Sequence, residues 1–158
     1  MTASVIEFSS DDVGALVAQM DAMSVRGKGW INVGPGLTPE QFAALPERSG
    51  LGKWFSGRGP AVPMATWTPS PMDGRSPAQI GIAHGTGPDA LKRLAEQAIE
   101  LPPDWVKRQD HAKNGVVAEL PTSAAHESVV EWMMVVMAAL SPRVEVGQEW
   151  VAEVYGAD

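Results

Sequence analysis

The segment from Val144 to Val154 constrains the fold of this chain more than any other. Val144, Val146, Trp150, Ala152 and Val154 share one parity, while Glu145, Glu149 and Glu153 share the other. Side chains alternate across a strand, so a period of two predicts one buried face and one wet face. A strand that is wet on one side belongs to an antiparallel sheet covered on a single face, since all-parallel sheets are buried on both. Steps of four residues along a strand space the acids by about 13 Å. That exceeds the roughly 5–9.5 Å between paired glycosidase carboxylates. The acids read as a solvated face that discourages edge pairing.

The rest of the chain supplies partners for such a strand. Ser4–Phe8 is β-prone, and Ser9-Ser10-Asp11-Asp12 then signals the N-terminus of a helix. Val13, Leu16, Val17, Met20 and Met23 keep helical spacing to about Val25, and Arg26-Gly27 supplies a cation and a C′ glycine. Trp30–Val33 reads as a strand, and Thr38-Pro39-Glu40-Gln41 as a capped helix start with proline at N1. Residues 50–88 hold eight of the sixteen glycines and six of the thirteen prolines, so regular structure there is short. Val62–Thr68 and Ala78–Ala83 are strand candidates joined through the Asp73-Gly74 turn pair, and a helix is expected from Pro88 to about Ile99. Trp105–Asp110 and Val116–Leu120 predict a hairpin with Asn114-Gly115 in a type I′ turn. Thr122 or Ser123 is expected to cap a long helix reaching about Leu140.

Strand–strand–helix therefore occurs twice, over Val62–Ile99 and over Trp105–Leu140, before the C-terminal strand. The expected fold is α+β: a mainly antiparallel sheet with helices packed on one face. A chain of 158 residues suits a single globular domain over 1–158, with a Gly/Pro-rich loop region at about 50–61.

Charge narrows the partners. Twelve Lys and Arg against nineteen Asp and Glu give −7, which argues against nucleic acid and against anionic lipid. The distribution is uneven: −4 over residues 1–25, +3 over 26–118 and −6 over 119–158. An anionic ligand in the middle segment stays compatible with it. With no cysteine, thiolate metal sites and cysteine nucleophiles are excluded. The N-terminus lacks the basic and apolar regions of a signal peptide, and the apolar stretch Val129–Leu140 falls short of the ~20 residues that span a bilayer. A soluble, cytoplasmic protein is expected.

His84-Gly85-Thr86-Gly87 has the strongest chemical content. It lies between a strand and a helix, where free N–H groups receive an anion, with Thr86 and His84 adding polar side chains. The spacing is that of no phosphate-binding signature, and ordinary capping explains the same residues. Trp54 and Arg58 lie on the Gly-rich segment, two of whose cations and two aromatics suit a lid, a partner contact or a core insertion. His111 follows Asp110 near the hairpin tip, but neighbours on a strand point to opposite faces and do not pair. The three histidines lack metal-ligand spacing, so neither a metal nor a cofactor is implied. Trp132, Met133, Met134 and Met137 make the 126–140 helix apolar nearly all round, so it is either central or shared with a partner.

In its order of small α+β elements with ββα units and an acidic surface, the chain resembles compact secretion-chaperone and related regulatory domains at the level of fold. The resemblance implies a protein-interaction or regulatory (chaperone-like) domain without catalysis, partnered by another protein or by itself as a homodimer. The alternative is a small-molecule-binding protein or enzyme holding an anionic ligand with His84, Gly85, Thr86, Gly87, Trp54, Arg58 and His111.

Overall fold

A computed structural model describes residues 3–43, 62–141 and 145–156. Among them the backbone forms strands β1 (Ser4–Ser9), β2 (Trp30–Pro35), β3 (Met64–Thr68), β4 (Gln79–Ala83), β5 (Val106–His111), β6 (Gly115–Glu119) and β7 (Glu149–Tyr155). The helices are α1 (Gly14–Arg26), α2 (Pro39–Ala43), α3 (Ala90–Glu96) and α4 (His126–Ala139). All seven strands join one sheet in the order β1-β7-β2-β3-β4-β6-β5, and every neighbouring pair is antiparallel. The fold is α+β, with the last strand of the chain inside the sheet.

Three helices bridge strands that run the same way with others between them: α1 joins β1 to β2, α3 joins β4 to β5, and α4 joins β6 to β7. Right-handed crossovers place all three on the same side of the sheet. The buried residues agree. Phe8, Ile31, Val33, Trp67, Ile80, Ile82, Val116, Trp150 and Val154 share one face and meet Leu16, Met20 and Met23 of α1 and Leu94 of α3. Helix α4 packs on β3 and α1, burying Val129, Val130, Met133, Met134, Val136 and Met137. Its exposed row is Ser128, Glu131, Val135 and Ala138, so the apolar methionine helix is a central element of the core.

Local signals set most boundaries. Thr38 and Gln41 form a reciprocal capping box at α2: the Gln41 N–H donates to Thr38 Oγ1 (3.1 Å) and the Thr38 N–H to Gln41 Oε1 (2.9 Å). Gly27 ends α1 in the left-handed region, its N–H on Met23 O at 2.8 Å.

Four expectations shift for physical reasons. Helix α3 is shorter than Pro88–Ile99, because Asp89 and Ala98 both have positive φ, 56° and 61°. At its C-terminus Ile99 N–H reaches Leu94 O and Ala98 N–H reaches Ala95 O, a Schellman closure with alanine where glycine is usual. Helix α4 starts at His126, after a turn in which Ala124 N–H bonds Pro121 O, so neither Thr122 nor Ser123 caps it. The β5–β6 hairpin closes over a three-residue loop, with Gly115 opposite His111 at φ +78° and Asn114 outside the positive-φ region. Strand β7 begins at Glu149, with residues 145–148 leading into it and Val144 outside the described residues.

Two substitutions test this backbone. A Cβ at Gly115 would lie 2.1 Å from Ile82 O, so Gly115→Ala is expected to cost at least about 1–3 kcal/mol in urea unfolding. Ala98→Gly relieves left-handed strain and is expected to raise stability by roughly 0.5–1 kcal/mol in the same assay.

Candidate functional site

Just beyond β4, His84 turns to the helix side of the sheet and is 0% exposed. Its Nδ1 accepts the Thr86 N–H at 3.2 Å and lies 2.9 Å from Thr86 Oγ1. Arg93, one turn into α3, donates from Nη2 to Thr86 Oγ1 (3.0 Å) and to Gly87 O (3.1 Å), and from Nε to Pro88 O (3.1 Å). With that lone pair engaged, the Thr86 hydroxyl is free to donate to Nδ1. Both contacts make Nδ1 an acceptor, so the neutral ring carries its proton on Nε2. Nε2 is buried and has no hydrogen-bond partner among the described residues. Burial pushes the His84 pKa below its ordinary value, against a rise from Asp110 and with a further lowering from Arg93.

Asp110 explains why this loop is closed. Its Oδ1 accepts the Ala90 N–H at 3.1 Å and its Oδ2 the Leu91 N–H at 2.9 Å, so the carboxylate sits on the N-terminus of α3. The chain thereby fills with its own side chain the anion position expected for an external ligand. An incoming anion has to displace Asp110 and forfeit both bonds.

The structure brings His84, Thr86, Gly87, Arg93 and Asp110 together, with Gly85 half-buried between them. It does not bring in His111. That ring points into its own hairpin turn, where Nδ1 accepts the Lys113 and Asn114 N–H groups at 3.0 and 3.2 Å. Asp110 and His111 serve opposite sides of the strand. Trp54 and Arg58 lie outside the described residues. Sequence reasoning missed Arg93 and Asp110 as loop partners; the basic residue in the helix after a Gly-rich turn was the available signal for Arg93.

A second polar cluster joins helices far apart in sequence. His126 Nδ1 lies 2.5 Å from Asp21 Oδ1, and His126 Nε2 lies 3.3 Å from Ser24 Oγ. Asp21 and Ser24 are one turn apart on α1, and the imidazole stands edge-on to Trp67 with ring centroids 5.4 Å apart. The polar i, i+3 pair on α1 was visible in sequence, but nothing local links it to His126.

The outer face of the sheet, away from the helices, is covered by no element among the described residues. Val5 (61%), Trp30 (37%) and Met64 (42%) are exposed there, beside half-buried Val117 and Val151. Register puts Gly34, Gly81 and Ala83 on this side, which keeps its middle flat. Trp30 stacks on Tyr155 at 5.1 Å, and Tyr155 donates its hydroxyl to Glu153 at 2.5 Å. That bond, with burial and the Glu153 charge adding to it, raises the Tyr155 pKa. Among the described residues no three His, Cys, Asp or Glu side chains gather to hold a metal, and no helix is long and apolar enough to cross a membrane. Comparison of the chain with protein-family models, with curated proteins and with solved structures gives no match to any of them.

Two measurements probe the His84 network. Because the folded His84 pKa is lowered, the unfolded chain takes up a proton first as pH falls below about 6.5. Stability is therefore full above that range and declines as pH drops through it toward the folded value. His84→Asn is expected to flatten this part of the melting temperature against pH profile. Asp110→Ala is expected to cost roughly 0.5–2 kcal/mol in urea unfolding, by freeing two N–H groups of α3.

Proposed function

We propose that this acidic chain is a cytoplasmic interaction module that pairs with a second copy of itself across the outer face of its sheet. The observation that supports this reading is that no element among the described residues covers this face, where Met64, Val5, Val151, Val117 and the Trp30–Tyr155 stack lie around small residues and the Asn32–Thr66 pair. Exposed apolar side chains set among polar ones, here beside the Thr66–Asn32 hydrogen bond, have the mixed composition of protein-binding faces.

Charge favours a particular arrangement. Glu7, Glu149 and Glu153 lie on the β1–β7 side of the face, whereas the β5–β6 hairpin carries Lys113 at its tip and Arg108, which is ion-paired with Glu119. A two-fold axis parallel to the strands sets the acidic side of one copy against the basic hairpin of the other. A perpendicular axis sets the acids against themselves, which like-charge repulsion disfavours. Seven strands of five to seven residues present on the order of 600 Å² per copy, at the low end for a specific pair. An area at this end of the range suits a transient pair.

Binding of an anionic small molecule by His84, Gly85, Thr86 and Gly87 is the weaker reading, since Asp110 already holds the donors such a ligand needs. Self-association through α4 is also less favoured, because Val135, 50% exposed, is the one large apolar residue on that helix's outer row.

Sedimentation velocity over roughly 1–200 µM, which brackets weak association, separates these readings. The dimer is expected to appear with rising concentration, to vanish in Met64→Lys and Val151→Lys, and to persist in Val135→Lys. A monomer throughout, or a dimer lost only in Val135→Lys, overturns the proposal.

A further inference from the structure

We propose that Ser24 is a nucleophile activated by His126 and oriented through Asp21, forming an acyl-transfer site for small carboxylic esters on the helix layer. The hydrogen-bond chemistry assigns the roles. An ionised carboxylate only accepts, so the 2.5 Å contact with Asp21 Oδ1 places the imidazole proton on Nδ1. In the neutral ring Nε2 is then the acceptor, and Ser24 Oγ, 3.3 Å away, is placed to donate to it. Carboxylate, imidazole and hydroxyl thus stand in the order that makes a serine nucleophilic, with the base itself held by a third group.

The surroundings suit the role. Asp21 and Ser24 are exposed and His126 is half-buried, so an ester reaches the hydroxyl without opening the core. The edge contact with buried Trp67 fixes the ring plane, which a free surface histidine lacks. His126 is the first residue of α4, and Ala125 before it has no side chain that could take the first-turn N–H groups. The cluster lies on the helix side of the sheet and does not depend on pairing across the outer face.

Ser24 Oγ bonds the ester carbonyl carbon while its proton passes to His126 Nε2. The carbon–oxygen bond to the alcohol then breaks, and the alcohol leaves with that proton. Water attacks the acyl-Ser24 ester, gives its proton to Nε2, and the proton returns to Ser24 Oγ as the carboxylic acid departs. Asp21 is a positioning residue; it holds the Nδ1–H tautomer throughout.

The test uses the intact chain with p-nitrophenyl acetate as substrate and an alkyl fluorophosphonate as label. The expected results are label on the Ser24 peptide by mass spectrometry, and a 10²–10⁴-fold loss of turnover in Ser24→Ala. Because Ser24 is exposed, this variant is expected to keep the wild-type melting temperature. Asp21→Asn is expected to lower kcat with KM unchanged, which a purely structural bridge would not do. Wild-type turnover in folded Ser24→Ala, with the histidines alone accounting for the rate, overturns the proposal, as does absence of label from Ser24.

Discussion

The pairing of β7 with both β1 and β2 is the interaction on which the rest of this structure depends. Six residues of β1 and six of β2 face β7, and among the described residues β1 has no other neighbour in the sheet. The contacts close loops of more than a hundred residues, at a chain-entropy cost that only a strand buried on its helix side can offset. Trp150, Ala152 and Val154 provide that burial. A slip of one residue would turn Glu149 and Glu153 into the core, so the acids that keep the outer face wet also specify the register. The fit extends to the backbone: a Cβ on Gly29 would stand 2.4 Å from Tyr155 O, so β7 reaches its place only because position 29 is glycine.

The sheet in turn sorts the polar residues into two kinds. On the helix side, Asp110 meets helix N–H groups and Arg93 meets loop carbonyls, so charge is matched by fixed dipoles and the region closes on itself. At the exposed junction of α1 and α4, Asp21, His126 and Ser24 form a chain that ends in a hydroxyl open to solvent. The chemical difference between the clusters lies in their ends. One ends on backbone groups it satisfies, the other on a group that still has chemistry to offer. The outer face is different again, mixing exposed apolar side chains and small residues with the polar Asn32–Thr66 pair.

Much of the fold was legible because its causes are local. The Thr38–Gln41 capping box, the Gly27 helix stop and the Asp73–Gly74 turn, with Gly74 at φ +68° and its N–H on Pro71 O at 2.9 Å, each act over a few residues. The start of α4 was misplaced by the polar Thr122 and Ser123, because Leu120 N–H continues the ladder to Ala78 O and holds the next residues in a turn. The candidate loop was legible as a polar turn but not as a closed one, since the carboxylate that closes it lies some twenty residues away on another strand. No period or spacing announces such a partner.

The sequence by itself determined the α+β class and the parity and wet face of the last strand, because alternation and capping are properties of neighbouring residues. Strand order, the central place of α4, the occupation of α3 by Asp110 and the meeting of Asp21, Ser24 and His126 were decided only in the tertiary structure. These are contacts between segments far apart along the chain, selected by which packing buries the apolar faces while leaving most polar groups partnered. That choice is made by the whole core at once, and no single stretch of sequence contains it.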